Sequence, residues 1–443
     1  MFKLCPSGLC QWTLVMIVLI WPAGVSGDNG QGPLPEPLTL DYALSLSTGG
    51  HPGNVIARNR LERARAERDL IEGNTGVQTS IQGRLRWIKL PGIAIDPTID
   101  DHKLELLATK RLYDFGYSDA NISAAKLSVE SQKLLVEEQN AQQRLEIMQA
   151  FFNVILSDLA YARDNETMAV AFVRFSRIKD RNELGQVADV ELLEAENIYH
   201  KARSARYASD AGRRASRSRL ANILNRPGQL SSNLVRPELL ATKRKLPEIE
   251  SLQQQAVLNN PHLLALRQQV ESARQKLLAA RARKKPVIDL ELGAAEYSRK
   301  TRFSDILRGE IQFQMPLSSS GAIDAEIAKQ RTIMLDAQAR LHQYEMDLNQ
   351  QVLELWQSIT IFRAKRDEAA ILSEYRDLAL DKSRALYELD VKSDLGDSLA
   401  LFSASLYQTA RSDFDLAMAW AEMDATLGKP VDHGNKQTEP VSR

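Results

Sequence analysis

The chain has 443 residues, and its 57 lysine and arginine residues balance its 57 aspartate and glutamate residues. A chain with no net charge has no overall electrostatic attraction to nucleic acid, so we expect no nucleic-acid partner. Long stretches rich in Ala, Leu, Glu, Gln and Arg, in which Gly and Pro are sparse, favour a mainly helical protein.

The first 27 residues are typical of a secretory signal peptide. Lys3 precedes an apolar run over residues 12–21, and small residues at 25–27 offer a cleavage site. The run is about half of the roughly 20 residues that a membrane-spanning helix needs, which disfavours an uncleaved anchor. Cys5 and Cys10 are the two cysteines of the chain, and both lie in this segment. We therefore expect a mature protein without disulfides and without a lipid anchor.

The rest of the chain reads as two copies of one pattern, residues 28–245 and 246–430, followed by a polar tail predicted to be disordered, residues 431–443. The residue pattern of 116–184 recurs in 321–389, and in each stretch it predicts one very long helix. Such a helix extends roughly 100 Å at about 1.5 Å per residue, which exceeds the width of a globular domain.

Each copy contains an amphipathic helix, two strands, a long helix, a short reversal and a return helix. In the first copy we predict a strand pair over about residues 76–113, a long helix over 117–183, a tip over 184–190 and a return helix to about 226. In the second copy we predict a strand pair over about 287–317, a long helix over 321–388, a tip over 389–395 and a return helix to about 427.

The predicted strands alternate between apolar and polar residues. The clearest alternation places Leu307, Gly309, Ile311, Phe313 and Met315 on one side and Arg308, Glu310, Gln312 and Gln314 on the other. Each strand has about the 9–11 residues that a tilted transmembrane strand needs. Two alternatives stay open: strands in a bilayer, or a small soluble sheet packed on the helices.

The number of strands sets the stoichiometry if they cross a membrane. Four strands cannot close a barrel, since about eight are the smallest useful number. Two chains would supply eight strands, and three would supply twelve with room for a channel. The strand pattern does not decide between a barrel of two chains and a barrel of three.

The long helices carry an apolar residue at every seventh position. These positions are Ala120, Leu127, Leu134, Ala141, Met148, Ile155, Ala162 and Ala169 in the first copy, and Ile327, Met334, Leu341, Leu348, Leu355, Phe362 and Ala369 in the second. A strict heptad repeat requires a partner helix alongside. The apolar stripe is narrow, which favours a wall one helix thick over a filled bundle. A soluble coiled-coil scaffold is the alternative.

No pattern indicates an enzyme, a cofactor or a metal site. The six histidines are scattered without metal-ligand spacing, and no phosphate loop, dinucleotide fingerprint or nucleophile elbow is present. A basic cluster on the first return helix lacks interleaved aromatic residues, and we interpret it as a solvated or intersubunit face. Its members are Arg203, Arg206, Arg213, Arg214, Arg217 and Arg219.

Short motifs recur in matching order in the two copies. They are residues 38–44, 51–52, 112–116, 182–190 and 224–227 in the first, and 260–262, 315–317, 387–394 and 427–430 in the second. In this order and spacing, the chain resembles the outer-membrane efflux protein family, the TolC-like exit ducts. The resemblance runs over about residues 38–430, nearly the whole mature chain.

This resemblance implies a mainly α fold with a small β part, a TolC-like α/β barrel with tandem-duplicated helical hairpins and four transmembrane strands per chain. It implies a homotrimer with a twelve-stranded barrel in outer-membrane lipid and a helical tunnel across the periplasm. The implied function is a passive exit duct of a tripartite efflux or type I secretion system, with a periplasmic adaptor (membrane fusion protein) and an inner-membrane transporter as partners. A periplasmic coiled-coil adaptor or scaffold is the alternative function, and an enzyme ranks third.

The resemblance also assigns roles to the two tips. Adaptor docking falls on Leu184, Gly185, Val187, Ala188, Leu389, Val391 and Ser393. Polar links that hold the tunnel shut fall on Glu191, Tyr387 and Lys392, so Lys392→Glu is expected to leave it leaky. A ring of acidic residues is expected at the constriction, where this chain has Gly396 flanked by Asp394 and Asp397. Gly185 suits a left-handed reversal, whereas its counterpart Asp390 suits it less well.

Overall fold

The computed structural model describes residues 34–48, 50–89, 99–229, 231–239, 244–299, 304–389, 391 and 394–431. The helices in this part of the chain are α1 (Leu40–Ser45), α2 (Pro52–Thr75), α3 (Tyr117–Glu183), α4 (Asp189–Ile223), α5 (Ile249–Asn259), α6 (Pro261–Ala282), α7 (Ala322–Glu388) and α8 (Leu395–Thr426). The strands are β1 (Gln78–Arg84), β2 (Lys103–Tyr113), β3 (Val287–Tyr297) and β4 (Leu307–Gln314). The predicted signal peptide and the tail beyond residue 431 lie outside the described residues.

A mostly helical chain with a small antiparallel sheet confirms the predicted fold class. The two long helices, α3 and α7, have 67 residues each. Each begins after a glycine in the left-handed region, Gly116 (φ 90°) and Gly321 (φ 83°). A left-handed residue turns the chain sharply, so the same device carries each copy from its strand into its long helix.

The four longest helices lie side by side in the order α4–α3–α8–α7, because α3 packs against α4 and α8 while α7 packs against α8. At the other end of the long helices, α6 packs against both α3 and α7, and α2 packs against α3. Of these four helices, α4 and α7 are therefore the outer two of the wall. A wall one helix thick is what the narrow apolar stripe predicts.

Two apolar clusters hold the wall at its middle. In the first, Phe152 of α3 stacks on Phe414 of α8 with ring centroids 4.4 Å apart. In the second, Val352 and Ile359 of α7 pack with Trp420 of α8. Full burial of a large apolar side chain contributes about 1.5–3 kcal/mol, so these clusters stabilise the helix order.

The prediction that the heptad positions lie at helix contacts is correct only in part. Met148, Leu348 and Ala369 are buried, whereas Ala162 and Ala169 are exposed in this chain. A straight helix drifts by about 20° per heptad relative to a strict seven-residue repeat, so the far end of a long seam rotates off the contact. Beyond the middle of α3, the buried residues of α3 and α4 include the small side chains Ala171, Ala195 and Ala202.

A buried polar junction joins the second copy to the first. The Asn260 side chain caps α6 and donates to the carbonyl of Thr426 at 3.0 Å. The hydroxyl of Tyr344 on α7 donates to Asn260 Oδ1 at 3.3 Å. His262 Nδ1 lies 2.8 Å from Glu138 Oε2 on α3, and its ring contacts the Tyr344 ring at 4.4 Å. Burial, with the Glu138 carboxylate, raises the pKa of Tyr344 to about 12.

Candidate functional sites: an amphipathic sheet and two helical tips

The four strands form one antiparallel sheet in chain order, in which β2 and β3 join the two copies. The register pairs Ile81 with Leu106, Leu106 with Ala294, and Ala294 with Leu307. Directly opposed residues share a face, so each strand contributes its apolar set to the same side. This apolar face comprises Thr79, Ile81, Gly83, Leu104, Leu106, Ala108, Ile288, Leu290, Leu292, Ala294, Leu307, Gly309, Ile311 and Phe313.

The large side chains of the apolar face remain exposed. Ile81 is 73% exposed, Leu307 79% and Ile311 68%. A soluble sheet buries its apolar face against a second layer. The alternative of a small sheet packed on the helices is therefore wrong for this chain.

Within the paired strands, the apolar face carries two charged residues, one towards each end. Lys110 is opposite Leu290, close to where β2 leads towards α3, and Glu296 is opposite Leu104 at the loop end of the sheet. The cross-strand rows of this face that lie between Lys110 and Glu296 contain no charged residue. This distribution is typical of a surface whose middle lies in hydrocarbon and whose ends reach the polar boundary.

The opposite face carries charges that pair along β2 and across neighbouring strands. Lys103 Nζ lies 2.7 Å from a Glu105 carboxylate oxygen, Arg111 lies 3.1 Å from Asp289, and Arg308 pairs with Glu291. Exposed pairs of this kind contribute at most about 1 kcal/mol each. Their position shows that this face is suited to water.

The first tip turns at Gly185 (φ 71°), where the backbone N–H donates to the carbonyl of Asn182 at 2.8 Å. The Asn182 side chain then donates to the carbonyl of Val187 at 2.9 Å and to the Asp189 carboxylate at 3.0 Å. Asn182 and Asp189 belong to the reversal motif of residues 182–190, but the sequence analysis gave neither of them a role. Their signal was available, because an Asn and an Asp flank the predicted turn.

Both tips present apolar side chains to solvent. On the first tip Leu184 is 72% exposed and Ala188 is also exposed. On the second, Leu389 is 73% exposed and Val391 is exposed beside it. The predicted docking residue Ser393 lies outside the described residues, as does Asp390.

The predicted gate residues are not joined within the described part of one chain. Glu191 and Tyr387 are both exposed, and no side-chain hydrogen bond or ion pair connects them there. Lys392 lies outside the described residues. Their role as gate links stays a prediction.

Gly396 has a structural reason to lack a side chain. A Cβ atom at this position would lie 3.1 Å from Cγ2 of Val170 on α3, so an acidic side chain would displace Val170. The flanking Asp394 and Asp397 are exposed at the start of α8. The constriction acids therefore stay predictions at these two positions.

Several basic residues of α4 have partners on α3. Arg217 forms two hydrogen bonds of 2.8 Å with the Asp158 carboxylate, and Arg213 and Arg206 lie over the Tyr161 ring. These three arginines therefore fasten α4 to α3. Among the described residues no group of three His, Cys, Asp or Glu side chains is placed to hold a metal ion. None of the described helices has the length and hydropathy required to span a membrane.

Comparison with solved structures identifies this architecture. The outer membrane protein VceC of Vibrio cholerae superposes with a TM-score of 0.70 at 13% identity, covering 89% of this chain and 97% of that one. The CmeC outer membrane channel of Campylobacter jejuni gives 0.72 at 12% identity, covering 90% and 87%. The open state of the MtrE outer membrane channel of Neisseria gonorrhoeae gives 0.66 at 15% identity, covering 89% and 90%.

This chain has the fold of these outer-membrane channels. No protein-family model matches it, and no curated protein is significantly similar in sequence. The TolC-like fold named by the sequence motifs is confirmed by structural similarity over nearly the whole chain. In this TolC-like fold the amphipathic sheet and the two tips lie at opposite ends of the long helices.

Proposed function

We propose that this chain is one subunit of a homotrimeric exit duct in an outer membrane, which passively conducts substrate outward. The observation that carries the proposal is the uncovered apolar face of the sheet, bounded by charges at its two ends. In water, a sheet with such a face would associate with any apolar surface. In a bilayer, lipid hydrocarbon covers the apolar face.

The strand count supports assembly from several copies. β1 and β4 are the edges of the sheet, and each leaves one side unpaired within the chain. Backbone groups in lipid must be hydrogen-bonded, so a membrane-inserted sheet has to close by pairing β1 of one copy with β4 of the next. Three copies give twelve strands, a barrel wide enough for a channel.

The helices support a passage that extends away from the membrane. Helices of 67 residues are roughly 100 Å long at about 1.5 Å per residue. The outer helices α4 and α7 of one copy have free flanks that suit contact with neighbouring copies. The tips at the far end then serve as the docking site for a periplasmic adaptor, which connects the duct to an inner-membrane transporter that supplies the energy.

Cell fractionation tests the duct. We expect the protein in the outer-membrane fraction as a trimer that dissociates on heating, and we expect the purified trimer to conduct ions across a planar lipid bilayer. Release of a monomer by osmotic shock, without channel activity, would instead indicate a periplasmic scaffold.

The exposed leucines test the docking tips. Leu184→Asp combined with Leu389→Asp replaces two apolar contacts with charges and should weaken adaptor binding by at least about tenfold. Leu70→Asp is the matched control, since Leu70 is an exposed leucine near the end of α2, away from the tips. Binding of the purified adaptor is measured by surface plasmon resonance. Equal affinity of the tip variant and the wild type would place docking elsewhere.

The gate is tested by conductance. Lys392→Glu is expected to raise single-channel conductance of the closed trimer, because an exposed ion pair contributes at most about 1 kcal/mol and is easily broken. Unchanged conductance would exclude Lys392 as a gate link.

A further inference from the structure

A cavity of about 540 Å³ lies at the junction between the sheet and the long helices. Its lining includes Phe115, which follows β2, and Asp119 in the first turn of α3. On the α6 side it is lined by Leu278, Arg281 and Lys285, the last of which stands two residues before β3. The cavity therefore lies just below the helix-side end of the apolar face.

Opposite charges face this cavity without neutralising one another. Arg281 and Lys285 are exposed cations, and Asp119 is an exposed anion. Within the described part of the chain, none of the three side chains makes a hydrogen bond or an ion pair. A cavity lined by both positive and negative side chains that do not pair with each other suits a ligand that carries both charges.

An aromatic pair connects the lining of the cavity to the apolar face of the sheet. The register shift between Arg111 and Tyr113 places Tyr113 opposite Ile288, on the apolar face, instead of on the polar face where regular alternation would put it. The Tyr113 ring contacts the Phe115 ring, with centroids 4.6 Å apart.

The backbone at Phe115 has an uncommon conformation. Its φ of 55° is left-handed, which is uncommon for a large side chain. Phe115 and Leu278 both remain partly exposed at the cavity. Aromatic residues at the edge of an apolar band are typical of the boundary between hydrocarbon and headgroups.

We infer that this cavity binds the headgroup of a zwitterionic phospholipid. Arg281 and Lys285 would hold the phosphate, Asp119 would hold the ammonium group, and the acyl chains would run past Phe115 and Tyr113 onto the apolar face. The inference rests on the proposed function, because only a sheet in lipid places the cavity at headgroup level. Two other ligands fit the cavity less well. An anionic lipid without an amine would place a negative charge next to Asp119, and inorganic phosphate would leave Phe115 and Tyr113 uncovered.

Native mass spectrometry of the delipidated, detergent-purified full-length assembly tests the site. The probes are phosphatidylethanolamine and phosphatidylglycerol, each titrated separately. We expect the wild type to bind phosphatidylethanolamine preferentially, with one lipid per chain. Arg281→Gln combined with Lys285→Gln should weaken this binding by at least about tenfold, since charge-assisted hydrogen bonds are lost.

Two further variants make the test specific. Lys276→Gln combined with Arg283→Gln removes the same charge from the same segment without touching the cavity, and should bind lipid as the wild type does. Asp119→Asn removes the anion and should shift the preference towards phosphatidylglycerol.

The inference is overturned if the wild type shows no preference for phosphatidylethanolamine, or if the control pair loses binding as strongly as the cavity pair. It is also overturned if a side chain of a neighbouring copy fills the cavity in the assembled protein. Outer-membrane fractionation and bilayer conductance of the same variants separate this outcome from failure of the duct. Normal conductance with no lipid preference rejects the lipid site alone, whereas absence from the membrane rejects the proposed function.

Discussion

Two glycines of the described chain reverse helix ends for different physical reasons. Gly185 (φ 71°) has open space where a Cβ would stand, so it needs glycine only for its left-handed backbone. Gly428 (φ 67°) needs glycine twice, because a Cβ there would also collide with the carbonyl oxygen of Asn259. The tip turn thus has space for a side chain at its glycine, whereas the turn after α8 does not.

We therefore predict unequal costs for the same substitution. Gly185→Ala should destabilise the protein by about 1 kcal/mol, the cost of a left-handed non-glycine residue. Gly428→Ala should cost more than about 3 kcal/mol, because backbone has to move as well. Thermal unfolding of the purified protein, followed by helical circular dichroism, compares the two. Equal melting temperatures would contradict this account.

Tyr344 predicts a stability change at high pH. Burial and the Glu138 carboxylate raise its folded pKa to about 12, above the 10.0 of an ordinary tyrosine. Above pH 10 the phenol therefore ionises first in the unfolded chain, so the free energy of unfolding falls as the pH rises through this window. Tyr344→Phe should melt at a lower temperature than the wild type at pH 8, with a difference that shrinks by pH 11. A constant difference would show that Tyr344 titrates normally.

At the scale of elements, the start of α6 is fixed by a side chain that serves two helices. Asn260 Oδ1 accepts from the backbone N–H of Leu263 at 2.9 Å, and its Nδ2 donates to the last turn of α8. Both hydrogen bonds are buried, so their loss leaves polar groups without water. Thr39 caps α1 through a single exposed hydrogen bond of 3.3 Å.

These two caps provide a matched pair. Asn260→Ala should destabilise the protein by about 2–4 kcal/mol, because it removes a cap and leaves a buried carbonyl unsatisfied. Thr39→Ala should cost about 0.5–1 kcal/mol, since water replaces the lost hydrogen bond. Chemical denaturation gives both free energies. A loss at Asn260 no larger than that at Thr39 would show that the junction does not couple α6 to α8.

At the scale of the whole molecule, the sheet is the part that one chain leaves incomplete. Its edges are unpaired and its apolar face is uncovered, whereas the helices already bury two apolar clusters within the chain. In the proposed duct, lipid and neighbouring copies would therefore complete the sheet end, whereas the middle of the wall is packed within one chain.

Neighbouring positions on β1 test which face meets lipid. Ile81→Lys places a charge in the middle of the apolar face, in the row of Leu106, Ala294 and Leu307, and should cost about 2–4 kcal/mol of membrane stability. Gln82→Lys places the same charge one residue along, on the polar face, and should be tolerated. The yield of heat-dissociable trimer in the outer membrane measures both. A larger loss for Gln82→Lys would reverse the assignment of the two faces.

Much of the fold follows from local pattern. The duplication, both long helices and the four strands were predictable because each depends on residues close together in sequence, through periods of about 3.6 and 2. The tip turn at Gly185 was predictable for the same reason. The exposure of Ala162 and Ala169 was not, because it depends on how far a straight helix drifts from its seam.

The sequence by itself determined that this protein is a duplicated set of long hairpins with alternating strands, and its motifs indicated the TolC-like fold. Only the tertiary structure decided that the apolar strand face is left uncovered, that a bulge turns Tyr113 onto that face, and that a side chain at Gly396 would have to displace Val170. The reason is physical: periodicity is set by neighbours along the chain, whereas exposure, register and close packing are set by residues far apart in sequence that meet only in the folded molecule.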